Sequence, residues 1–237
     1  MKRKLNKSLF INAGVILSGL LLVGCDSKQT EFEKITNNAL QSADPFMTMD
    51  KYYSENEFNF NGCDSIFRIT SNAFCNQIFE SNIKVMKASL DKDSIPALLY
   101  LFNDYDLSHW IAPRDLKRSD VELYLHNLIS LARKLQINKK YSEVFMTAAR
   151  ELQNGRYITQ DTMGAIDFYL KAWMAGNREA ATKLADVYNF LNDPSRAYFW
   201  SIRSMEILLD TDQLKDISPE EKIRIQKKAA DLSIVNY

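Results

Sequence analysis

Apolar residues separated by three and four positions, the period of a helix with one covered face, set the organisation of this chain. Ile66, Phe67 and Ile69 begin such a series, and Phe74, Ile78, Phe79, Ile83 and Met86 continue it. The run Ile95 to Phe102 suits a buried helix capped by Ser94, with Pro96 in its first turn. Ser119-Asp120-Val121-Glu122 has the form of a capping box and predicts a further helix from Ser119 to about Leu135. From Thr162 to Ala175 the chain is apolar almost all round, with Asp167 and Lys171 as a polar stripe one turn apart, so that helix is expected in a middle layer. Asp193-Pro194 supplies a cap and a first-turn proline for a helix through about Leu209. Ser218-Pro219-Glu220-Glu221 opens a final amphipathic helix carrying Ile223, Ile225, Ala229, Ala230 and Leu232.

The amino-terminal third is less regular. Phe32 to Ala43 predicts a helix stopped by the Asp44-Pro45 step, because a residue before proline is pushed out of the helical region. Phe46 to Asn61 has no clean period and is expected to be irregular. The scarcity of Gly and Pro, 7 and 5, favours long helices with few turns. The fold class expected is all-α, a short α-solenoid of helix-turn-helix units with an amino-terminal helical cap.

One such unit is written twice. Ala148, Ala149 and Leu152 recur 36 residues later as Leu184, Ala185 and Tyr188, and Asp161, Ala165 and Phe168 recur 32 later as Asp193, Ala197 and Trp200. A second loop shorter by four residues accounts for both offsets. Residues Gly155 and Asp161, then Ala165, Phe168, Tyr169, Lys171 and Ala172, then Gly176, Asn177 and Ala180 carry a pattern that resembles the Sel-one-like repeat, a relative of the tetratricopeptide repeat. The second copy keeps Arg196 as well, but lacks the glycine-bearing loop and has Ser201 in place of the tyrosine. The resemblance implies a stacked array that binds another protein, closed by a terminal helix with a polar outer face. Ser94 to Leu135 then makes a degenerate first repeat, with Asn103 to Arg118 as an enlarged loop. Its His109 and Trp110 are candidate partner contacts, since insertions of this kind often carry function. Tyr198, Phe199 and Trp200 are consecutive and cannot share one helix side, so Tyr198 is a further candidate contact, against the competing expectation that it packs on the last helix.

Before the repeats stands a leader. Lys2, Arg3, Lys4 and Lys7 form a positive stretch, and Leu9 to Val23 an apolar one. Fifteen residues rise only about 22 Å as a helix, short of a hydrocarbon core of roughly 30 Å. Leu22-Val23-Gly24-Cys25 resembles a bacterial lipobox, which implies cleavage before Cys25, lipidation of its sulfur and acylation of the new amino terminus. Asp26 resembles an inner-membrane retention signal of enteric-type bacteria, although an outer-membrane anchor stays open. The domains expected are 1–24 signal peptide, 25–45 anchor and tether, 46–93 a helical region with a disulfide, and 94–237 the repeat array. The location expected is the cell envelope, facing the periplasm.

Charge and cysteines sharpen this picture. The chain has 30 basic and 30 acidic residues, and loss of the leader leaves 26 against 30. No basic surplus remains to neutralise phosphates, so nucleic acid is not an expected partner. Beyond Cys25 only Cys63 and Cys75 remain, an even number in a compartment where disulfides persist; a Cys63-Cys75 bridge is expected, against two unpaired buried thiols. Such a bridge contributes about 3 kcal/mol in the chain-entropy model. Neither cysteine has a ligand-spaced partner for a metal.

Catalytic motifs are absent: there is no Gly-x-Ser-x-Gly, P-loop, His-Glu-x-x-His or Cys-x-x-Cys, and no cofactor is expected. Ser81-x-x-Lys84 and Ser89-x-x-Lys92 match the Ser-x-x-Lys spacing of serine hydrolases, without the other motifs that accompany it. His126 falls in a predicted helix, where an ordinary surface or core role is expected. A β-lactam-binding hydrolase is therefore the least favoured reading. The leading one is a lipid-anchored adaptor for another protein, either an immunity protein for a secreted antibacterial effector or a scaffold in an envelope complex.

Overall fold

The computed structural model describes residues 30–55, 73–103, 112–204, 213–235 and 237. Among them every regular element longer than a single 3-10 turn is an α-helix, and no strand occurs. The chain divides into one unit of residues 1–94 with 106–111, and a second of 95–105 with 112–237.

The first unit contains α1 (30–41), α2 (Pro45–Glu55) and α3 (Ala73–Leu90). Helix α1 buries Phe32, Thr36 and Ala39 along one face, and Phe74 of α3 meets Phe32 edge-on at 6.0 Å. Helix α1 stands where Phe32 to Ala43 predicts a helix. Helix α2 corrects the expectation of an irregular segment over residues 46–55, while 56–61 lie outside the described residues. Asp44-Pro45 acts as a start as well as a stop: the Asp44 carboxylate accepts from Met47 N at 3.2 Å, and Pro45 occupies the first turn, where a missing N–H costs nothing. Phe46, Met49 and Tyr53 then recur at three and four and are buried. Tyr53 donates its hydroxyl to the fully buried Asn82 of α3 at 2.6 Å, and Ser89 Oγ accepts from Phe46 N at 2.7 Å. Cys75 near the start of α3 is disulfide-bonded. Its expected partner Cys63 lies outside the described residues, as does the apolar run at Ile66 to Ile69.

The second unit is an array of helices packed on their sequence neighbours: α4 (Ile95–Phe102), α5 (Arg118–Lys134), α6 (Ser142–Asn154), α7 (Thr162–Met174), α8 (Glu179–Phe190), α9 (Pro194–Ser204) and α10 (Pro219–Ala230). Short 3-10 turns stand at Pro113–Asp115, Lys139–Tyr141 and Gln213–Asp216. Helices α6 and α7 form one hairpin and α8 and α9 the next, with α7 against α8 between them. Their loops run 155–161 and 191–193, seven residues against three, the four-residue difference inferred from the offsets. The recurring small residues lie where helices meet: Ala148, Ala149, Ala165, Ala172, Ala180 and Ala197 are all buried. Asp161 and Asp193 recur because both cap a second helix, accepting from Gly164 N at 2.8 Å and from Arg196 N at 3.0 Å. Helix α7 buries residues toward both neighbours and, of its large apolar side chains, leaves only Met163 and Met174 exposed at its ends; Lys171 pairs with Asp167 at 2.9 Å. Helix α5 departs from expectation by starting at Arg118, with Lys117 at the N-cap and no side-chain cap. Ser119 is inside the first turn, and Glu122 pairs with Arg118 at 2.8 Å rather than closing a capping box.

The array is closed by Arg203. It is 5% exposed, donates from Nε to Ala229 O at 3.2 Å and from Nη2 to Asp231 O at 2.6 Å, and so holds the carboxyl end of α10 against α9. Phe199, Trp200 and Trp173 surround the guanidinium, Phe199 closest at 4.2 Å. Burial draws its pKa below the ordinary arginine value, an effect the nearby Asp231 opposes. Tyr237 returns to stack on Phe199 at 4.9 Å.

The helix ends and this cation can each be tested. Gly155 has φ +63°, and a Cβ there would lie 2.9 Å from Gln160 Cβ, whereas Gly176, at φ +92°, faces open space. Gly155→Ala should therefore lower stability by about 2 kcal/mol and Gly176→Ala by about 1 kcal/mol, measured by denaturant unfolding. Arg203→Met should cost about 2 kcal/mol by leaving two carbonyls without their donor, seen as a lower melting temperature with helical content retained at about 20 °C.

Candidate functional site

Most residues singled out in the sequence fall outside the described parts: Cys25, Asp26, Cys63, His109 and Trp110. Tyr198 is described, and of its two expected places it takes the one packed on the last helix. It is 6% exposed, and its hydroxyl accepts from Gln226 Nε2 of α10 at 2.6 Å. Phe199 and Trp200 are buried too, because α9 is covered by α8 on one side and α10 on another, so consecutive side chains each meet a covered side. Ser89 is fully buried and donates to Val85 O at 3.0 Å, while Lys92 Nζ donates to Ser42 O at 2.9 Å. The hydroxyl and amine of that Ser-x-x-Lys match are each engaged with backbone. Among the described residues no group of His, Cys, Asp and Glu converges as a metal site, and no helix is long and apolar enough to cross a membrane.

What the second unit does present is a cleft of about 670 Å³ between α5 and the α6–α7 loop. Arg118, Glu122, His126, Ile129 and Arg133 line it from one face of α5, at steps of four, four, three and four. Leu152 and residues 157–161 line the other side. The geometry comes from the long first loop. Gly155 ends α6 in the left-handed region, and Asp161 N, donating to Leu152 O at 3.0 Å, brings the chain back to start α7. The chain bends at 156–158, and residues 157–161 form the wall.

The second hairpin has no such wall. Its three-residue turn leaves Phe190 71% exposed at the end of α8, beside Leu191 at 42%. Phe190 borders a smaller cleft of about 300 Å³ with Gln153, Asn154, Gln160, Thr162 and Val187. Gln160 lines both clefts, so the polar cleft and the apolar edge adjoin. Met163, 69% exposed at the start of α7, adds to the apolar surface of this unit.

Sequence reasoning placed function in the loop Asn103 to Arg118 and missed this edge. Half of the signal was in the sequence, a polar face at 118, 122, 126 and 133, but nothing there joins it to the loop 155–161. Phe190 gave none, because an aromatic at the end of a repeat helix reads as core.

No protein-family model, curated protein or solved structure matches this chain.

Burial separates the aromatic that can meet a partner from the one that cannot. Phe190→Ser should change unfolding free energy by no more than about 0.5 kcal/mol. Tyr198→Ala should lower it by about 3 kcal/mol, as the loss of a buried aromatic does. Equal losses in chemical denaturation would place Phe190 in a packed interface instead.

Proposed function

We propose that this chain is a protein-binding adaptor, anchored by lipid at Cys25 to a bacterial membrane and facing the periplasm, whose repeat array presents its loop edge to another protein. The observation that carries this reading is Phe190, 71% exposed at the end of α8 and bordering a cleft. An exposed aromatic beside a cleft gives a partner a large apolar contact area, and aromatics are enriched among interface hot spots. The leader and the Sel-one-like repeat resemblance support the same reading. So does the place of the resembling residues: Gly155 and Asp161 shape the loop, and Ala165, Ala172 and Ala180 bring the helices together. An immunity protein that neutralises a secreted effector and a scaffold for an envelope complex are two uses of one such edge.

The test is affinity capture of partners from envelope extracts and culture supernatants, with Phe190→Ser beside the parent chain. One stoichiometric secreted hydrolase, lost in Phe190→Ser, is expected for the immunity use, together with survival of the null strain except in the presence of that hydrolase. Envelope components lost in the same variant, with a growth defect in cells alone, mark the scaffold. No captured protein from either source removes the adaptor reading. In parallel, Cys25→Ala should move the protein from the membrane to the soluble fraction, checked by fractionation.

A further inference from the structure

The charges around the larger cleft describe what would fill it. Both acids in its walls are already engaged: Glu122 accepts from Arg118 Nε at 2.8 Å, and Asp161 from Gly164 N at 2.8 Å. Of the basic groups, Arg118 is engaged by Glu122 and by Arg156 O, and the others are not. Arg133 and His126 are exposed and, among the described residues, make no hydrogen bond or ion pair, and the Tyr157 hydroxyl likewise has no partner there. Lys117, Lys134 and Arg156, exposed neighbours of lining residues or of the loop, add charge of the same sign. The floor is apolar, formed by Ile129 and Leu152, each 4% exposed, with Ile158 half-buried at the rim. Free donors above an apolar floor suit a chain whose side chains alternate between carboxylate and aliphatic.

We propose that this cleft receives an extended, acidic segment of the partner protein, its carboxylates meeting His126, Arg133 and the N–H groups of Arg118 that Glu122 does not take, and its alternate aliphatic side chains resting on Ile129 and Leu152. This rests on the protein-binding reading above and names the chemistry of the partner. The lengths agree: fifteen residues of α5 separate Arg118 from Arg133, about 22 Å at about 1.5 Å per residue, which about seven extended residues span. A uniformly anionic polymer fits less well, because Glu122 and Asp161 interrupt the cationic face and its floor is apolar. The alternating segment uses both parts.

The full chain in neutral detergent should bind a fluorescein-labelled heptapeptide alternating Glu and Val, followed by fluorescence anisotropy, and should not bind its Lys-Val counterpart. Binding should weaken on raising salt and fall about tenfold in His126→Glu/Arg133→Glu, two exposed substitutions that place carboxylates on this wall and leave the melting temperature unchanged. Equal binding of the two peptides, or no loss in the double variant, overturns the proposal. Binding only to phosphatidylglycerol vesicles also overturns it and assigns this face to an anionic lipid surface. A partner captured equally by parent and double variant leaves the adaptor standing and removes the cleft as its contact.

Discussion

An all-helical chain with short turns must find partners for four backbone donors and four acceptors at every helix end, and this constraint shapes the protein more than any single side chain. Three turns solve it in the same way. At Asp93, Gly176 and Asn192 one residue enters the left-handed region, and two backbone bonds close over it: Asp93 N to Leu90 O with Ser94 N to Ser89 O, Gly176 N to Trp173 O with Asn177 N to Ala172 O, and Asn192 N to Asn189 O with Asp193 N to Tyr188 O. In two of them the next residue then starts the following helix. Asn177 Oδ1 accepts from Glu179 N at the start of α8, and Asp193 caps α9. These helix ends and helix starts are separated by only four residues, 175–178, and three, 191–193, which constrains the angle between neighbours and hence the stacking of the array.

Where a helix ends without that motif, an arginine from a neighbour supplies the donors. Arg150 Nη2 reaches Phe102 O at 2.6 Å and Asn103 Oδ1 at 3.0 Å, tying the end of α4 to α6. Arg203 does the same for α10, and its stem and guanidinium also fill space among three aromatic rings. A cation at a helix carboxyl end lies along the favourable direction of the helix dipole, so each arginine is used where burying it costs least. Repeat arrays are open at both ends, and these contacts bind the less regular helices to the regular ones.

Much of this architecture was legible. The period of three and four, the Asp-Pro and Ser-Pro starts at residues 193 and 218, and the two copies with a four-residue deletion all have direct counterparts in the fold. What could not be read has a common physical cause: one local signal admits two meanings that only tertiary context separates. Asp44-Pro45 stops a helix and starts one. Ser119 three residues before Glu122 spells a capping box, yet Arg118 takes the carboxylate and the helix begins earlier. Tyr198 beside two other aromatics admits a partner contact or packing on the last helix, and α10 covers it. The cleft escaped because it is made by α5 and a distant loop together, and no stretch of sequence contains both.

The difference between the two hairpins is where specificity is concentrated. Their buried positions are nearly interchangeable, alanine against alanine and Phe168 against Trp200, since both must satisfy the same helix-to-helix spacing. Their loops carry no such obligation, and there the copies diverge: seven residues raise a wall opposite α5, while three leave Phe190 uncovered. A change of four residues in a loop costs little, because loop closure depends only weakly on length, whereas the same change in a helix would rotate every buried residue beyond it. The array can therefore keep its core while its edge is altered from one unit to the next, and the cleft and the exposed aromatic are the products of one such alteration.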